Sequence, residues 1–141
     1  MTPELLQRQL CEIQGRLFEL SGKEGYDSKS FIKHYMNSQT AAAFDRPYDR
    51  MQWTGEEYLL ENLLDEVGGL EVTNRLFPNE TLFWSGYLYR YWHFLTGESS
   101  IEIYRQADAQ TMFETYPGFH TIDNQMAVEN LKEIFRQNNT D

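Results

Sequence analysis

Apolar positions recur along most of this chain at steps of three and four, the spacing of one face of an α-helix. Leu6, Leu10, Ile13, Leu17 and Leu20 come first, behind a Thr2-Pro3-Glu4 start and ahead of Gly22. This predicts a helix that Gly22 closes, carrying a leucine seam. The seam covers barely two heptads, so it is expected to dock onto its own domain, with a homodimer through residues 6–20 as the other use. Phe31, Ile32, Tyr35 and Met36 predict a second helix, and Ser38 is placed to cap a short third piece reaching Phe44. Pro47 disfavours helix at Arg46, so 45–50 reads as an extended loop.

Thr54 and Glu57 have the T-x-x-E spacing of a capping box, and Trp53 with Tyr58 the spacing of a hydrophobic staple. The helix they predict carries Leu59, Leu60, Leu63, Leu64 and Val67 on one face and ends at Gly68-Gly69. Residues 79–96 form the most apolar helix of the chain, closed by Gly97. Phe83, Trp84, Tyr87, Leu88, Tyr91, Trp92, Phe94 and Leu95 cover about half its circumference at roughly 100° per residue, leaving a mixed strip of Leu82, Ser85, Gly86, Tyr89, Arg90 and His93. Ser99 and Glu102 make a second capping box. Asp108 starts a helix that Pro117-Gly118 is expected to break, and Asp123 starts a last one bearing Ala127, Val128, Leu131, Ile134 and Phe135. No strand-like alternation or internal repeat appears. The fold predicted is all-α, a single domain over 1–141 built as a compact bundle of about six helices around 79–96.

A hydrophobic content of 40% and an aromatic content of 15% place the chain among those that bury a real core. The formal net charge of -10 repels phosphates, which argues against nucleic acid and anionic membrane surfaces as partners. Neither a leader nor a membrane span is expected, and the lone Cys11 precludes an internal disulfide, so the reading is a cytoplasmic protein. Acidic residues concentrate between 51 and 74, where Glu56, Glu57, Glu61, Asp65, Glu66 and Glu71 occur without a basic neighbour. This pole is either a solvated face or a docking surface for a basic protein.

Candidate chemistry is sparse. No zinc-like spacing, H-E-x-x-H, Gly-rich phosphate loop, G-x-S-x-G or EF-hand loop is present, and no cofactor or metal is expected. His34 and His120 have no partner suggested by spacing, and Cys11 reads as a small apolar residue. The mixed strip offers one constellation: Tyr89, Arg90 and His93, with Glu57 or Glu61 of the acidic flank. As structure, Arg90 and His93 would be anchored by carboxylates of the Glu57/Glu61/Asp65 line. As function, the same groups would line a small polar pocket in an enzyme or ligand-binding domain. The other reading is a protein-binding module with an interface drawn from Tyr48, Trp53, Glu61, Asp65 and Glu66, since Trp, Tyr and Arg dominate binding hot spots.

An Arg and a His on an aromatic helix resemble the HEPN ribonucleases, but that family sets the two farther apart than Arg90-Tyr91-Trp92-His93. The run MNSQTAAAFDRPYDRMQWTGEEYLLENLLDE and, further on, LFWSGYLYRYWHFLTGESSIEIYRQ is similar to a family of all-helical proteins of gut and soil Firmicutes. Its members carry similar MNS, QW-GEEYLLE-LLDE and GYLYRYWH-TGESS-EIY blocks and lie near genes for small toxin–antitoxin-like proteins. The family has no established activity and supplies no functional residues. What the resemblance implies is context: the neutralising or accessory part of such a cluster.

Overall fold

The computed structural model describes residues 3–47 and 49–139. Eight α-helices follow one another there: α1 (Pro3–Lys23), α2 (Ser28–Met36), α3 (Gln39–Asp45), α4 (Glu56–Val67), α5 (Asn79–Thr96), α6 (Ser100–Gln106), α7 (Ala109–Phe119) and α8 (Asn124–Asn138), with one 3-10 turn at Arg50–Trp53. An isolated antiparallel bridge joins Tyr26 to Val72, and no strand is present among the described residues. The all-helical class is as predicted; the helices number eight among the described residues rather than about six, the short α3 and α6 marked by Ser38 and Ser99 included.

Those caps are local. Ser38 Oγ accepts from the Ala41 amide, Asp108 from Thr111 and Asp123 from Gln125 and Met126. Ser99 and Glu102 complete a reciprocal capping box. Gly97 ends α5 at φ 79°, a conformation that costs glycine little. α1 runs one residue past Gly22.

Three local predictions fail. α4 begins after Gly55, which offers no capping side chain, because the Thr54 hydroxyl instead donates to the Met51 carbonyl (2.8 Å) and closes the 3-10 turn. The expected staple is absent too: Trp53 is 72% exposed and Tyr58 51%. Pro117 does not break α7, which continues to Phe119. Proline there forgoes an amide bond only in the last turn, where the helix is exposed and about to end.

α1 and α5 form the most extensive helix pairing of the fold. Their crossing is close because Gly86 presents no side chain: a Cβ there would lie 2.5 Å from the Gln14 carbonyl oxygen and 2.8 Å from Phe18 Cγ. This approach brings the mixed strip of α5 into the core. The mixed strip faces inward, with Leu82, Ser85, Gly86, Tyr89 and Arg90 buried; of the aromatic half Leu88 and Trp92 are buried as well, while Phe83, Trp84, Tyr87, Tyr91 and Phe94 are half-buried and Leu95 is exposed. Small residues let a neighbouring backbone in, whereas tyrosines at the margin cover apolar surface and keep their hydroxyls near water. Leu10 and Leu17 of the leucine seam are buried within the chain, and Leu6, Ile13 and Leu20 pack beside them. Phe18 centres an aromatic group with Phe31, Tyr35 and Tyr89, its ring centroid 5.2, 5.6 and 6.1 Å from theirs.

Candidate functional site

Arg90 is a charged side chain with no exposed surface, and burying a guanidinium is tolerable only if its donors are met. Nη1 donates to Asp45 Oδ1 at 2.6 Å. Nε and Nη2 both reach Gln14 Oε1, at 3.1 and 2.8 Å, and Nη2 also lies 3.4 Å from Ser100 Oγ. Its flat face sits over the Phe44 ring, 4.7 Å from the centroid. The acceptors are themselves held. Gln14 takes the Tyr35 hydroxyl (2.7 Å) and donates to the Gly86 carbonyl (2.8 Å). Asp45 accepts the backbone amide and the hydroxyl of Ser100, at 2.9 and 2.7 Å, where α6 begins. One arginine thereby ties α5 to α1, to the end of α3 and to the start of α6.

This corrects the anchor predicted from sequence. Arg90 pairs with Asp45 rather than with Glu57, Glu61 or Asp65, which stand exposed on α4 and bond to neither Arg90 nor His93. Nor do the five candidate pocket residues converge. Tyr89 donates to the Ala107 carbonyl (2.6 Å) inside the core, and burial drives its phenol well above the ordinary value. Glu66 has a structural partner that sequence reasoning missed: its carboxylate accepts from the Gln39 and Thr40 amides at 2.7 and 3.0 Å and from the Thr40 hydroxyl at 2.8 Å. It stands at the N-terminus of α3, where the helix favours negative charge. Among the candidate interface residues Trp53, Glu61 and Asp65 are exposed, and Tyr48 lies outside the described residues.

His93 is the member of the strip that reaches a surface. Its Nδ1 lies 2.7 Å from the Glu98 carbonyl oxygen and 3.9 Å from Asp45 Oδ1, and the ring meets Phe94 edge-on. A carbonyl only accepts, so in the neutral ring Nδ1 carries the hydrogen and Nε2 the lone pair. Nε2 has no hydrogen-bond partner among the described residues. The side chain is 15% exposed and lines a cleft of about 770 Å³ between α1, residues 45–47 and 52–53, and the α5–α6 junction. Leu6, Leu10, Pro47, Trp53 and Phe94 form its apolar walls, and Gln7, Asp45, Arg46, Gln52, Ser99 and Glu102 lie along its polar side.

A second polar cluster lies behind α5. Glu98 accepts from Trp92 Nε1 (2.9 Å), Lys132 Nζ (2.6 Å) and the Gln106 amide, joining α5, α6 and α8. Burial alone would raise its carboxyl, but these bonds outweigh burial and bring it down to about 2. Burial pushes the Cys11 thiol up to about 12, which leaves it protonated and unreactive at neutral pH. His34 and His120 are exposed, each with Nδ1 against a carbonyl one turn back. No group of His, Cys, Asp and Glu among the described residues is arranged to hold a metal ion.

No family model, curated protein or solved structure matches the chain. No helix of the described residues is long and apolar enough to cross a membrane.

Proposed function

We propose that this chain is a cytoplasmic protein-binding module and that its docking site is the cleft bordered by α1, residues 45–47 and 52–53, and α5. The observation that carries this reading is Trp53, a large aromatic residue left 72% exposed on the wall of an apolar cleft. Exposed aromatics beside apolar concavities are where binding energy concentrates. The polar side points the same way, because Asp45, which lines the cleft, is held in place by Arg90 and Ser100. The net charge of -10 favours a basic partner, which it attracts at long range.

The resemblance to the Firmicutes family names the partners to try first, the products of adjacent genes, with this chain as the neutralising or accessory component. Co-expression with each product, followed by affinity capture, tests this. Capture that is lost on Trp53→Ala and retained on Val72→Ala, an exposed residue that does not line the cleft, is the expected result. Failure to capture any product, or equal capture by both variants, would overturn it.

A second reading, a small enzyme or ligand-binding domain, is favoured by His93 Nε2, without a hydrogen-bond partner among the described residues, in a cleft of ligand size. Its pocket would use His93 beside Asp45 rather than Tyr89, Glu57 and Glu61.

A further inference from the structure

Where α2, α7 and residues 74–77 meet, the chain carries a face opposite in sign to its net charge. We infer that this face docks an acidic partner segment, with one apolar side chain in the groove of Leu76, Phe77 and Phe113 and carboxylates at Lys29 and Lys33.

The sign follows from which charges are already answered. Two adjoining clefts, of about 450 and 330 Å³, share Lys29 and Gln110, and between them they hold the cations Lys29, Lys33 and Arg75 and the carboxylates Asp27 and Asp108. Arg75 and Asp27 answer each other: Arg75 Nε donates to Asp27 Oδ2 at 2.9 Å, and Asp27 also accepts from the Thr73 hydroxyl and the Ser30 amide. Asp108 accepts the Thr111 amide at the start of α7, where the helix dipole offsets its charge. Glu71 lies 3.7 Å from Arg75, and Glu114, exposed beyond Phe113, lines neither cleft. Lys29 and Lys33 stand one turn apart and exposed on α2, and neither ammonium has an ion-pair partner among the described residues. Two unanswered cations side by side attract carboxylates and steer their approach. His34, next to Lys33, adds to the same sign when protonated.

Apolar surface and open amides favour a peptide over a bare anion. Leu76 is 41% exposed and Phe113 42%, and the Phe113 ring centroid lies 4.8 Å from that of Phe77. An anion alone would leave this groove wet, whereas an aliphatic or aromatic side chain takes it out of water. Asn74 and Gln110 line the same groove, and their carboxamides have no hydrogen-bond partner among the described residues. Each offers donors and an acceptor, the complement of a peptide C=O and N–H. Lys29 lines the groove as well, so a carboxylate beside the apolar residue meets it. No residue of either cleft lines the His93 cleft, and the two surfaces are tested apart.

The test titrates the full, isotope-labelled chain with the capped pentapeptides Glu-Glu-Phe-Glu-Glu, Glu-Glu-Ser-Glu-Glu and Lys-Lys-Phe-Lys-Lys, and with inorganic phosphate. The first should shift the amides of Lys29, Lys33, Leu76, Gln110 and Phe113 and bind more tightly than the other three, with an affinity that falls as salt is added. Combining Lys29→Glu with Lys33→Glu should weaken it roughly twofold to thirtyfold, the range of two exposed ion pairs. Arg8→Glu, at an exposed cation of α1 that lines neither cleft, should change it far less. Phe113→Ala should remove the preference for the phenylalanine peptide over the serine one. Should the lysine reversals fold poorly, the salt dependence and the comparison with Lys-Lys-Phe-Lys-Lys in the unaltered chain decide. Equal binding of the phenylalanine and serine peptides, binding unchanged by the lysine reversals, shifts as strong with phosphate as with the peptide, or no shift at all would overturn the inference.

Discussion

The Arg90 guanidinium meets the Asp45 carboxylate at 2.6 Å, joining residues 45 positions apart, one with no exposed surface and the other nearly buried. Removing one partner of such a pair leaves the other charged and out of water. Asp45→Ala is therefore expected to cost roughly 3 to 5 kcal/mol in denaturant unfolding. Glu61→Lys, which alters an exposed charge without a partner in this array, should change stability by no more than about 0.5 kcal/mol. A large loss at Glu61 with little at Asp45 would contradict the pairing.

Gly86 sets the distance between α1 and α5. An alanine there would place its Cβ 2.5 Å from a backbone oxygen, which cannot yield as a side-chain tip would. Gly86→Ala should destabilise by about 1 to 3 kcal/mol through overpacking. A melting temperature equal to that of the unaltered chain would mean that the crossing is looser than described.

The capping-box sequences at Thr54 and Ser99 behave differently and can be separated by parallel substitutions. Ser99→Ala removes a completed capping box and should cost about 1 kcal/mol. Thr54→Ala removes a hydroxyl that bonds a single 3-10 carbonyl and should cost clearly less. Equal losses in chemical denaturation would show that Thr54 caps α4 after all.

Glu98 makes stability depend on acid. Its carboxyl falls from 4.5 to about 2 on folding, so its contribution is fully present above the unfolded value and disappears as pH falls through the folded one. Unfolding free energy measured from about pH 6 down to pH 2 should fall, with Glu98 supplying at most about 3 kcal/mol of the change. Glu98→Gln should flatten that part of the curve. An unchanged slope in the variant would mean that its bonds to Lys132 and Trp92 do not hold the carboxylate.

What the sequence by itself determined is local. Ser38, Ser99 with Glu102, Asp108, Asp123, Gly68 and Gly97 mark helix ends because their hydrogen bonds close within a few residues, and the apolar spacing between them follows from helical geometry. Even there Thr54 misleads, since two local turns compete for one hydroxyl. Tertiary structure decided which face of α5 turns inward, because that depends on how closely α1 can approach Gly86 rather than on the count of aromatics along the helix. It also chose Asp45 for Arg90 and brought Glu66 to the start of α3, 26 positions away. A charged group names the kind of partner it needs, but only the packing of helices decides which carboxylate arrives. The cleft at His93 has the same origin: its walls come from α1, residues 45–47 and 52–53, and α5, which no spacing in the sequence connects.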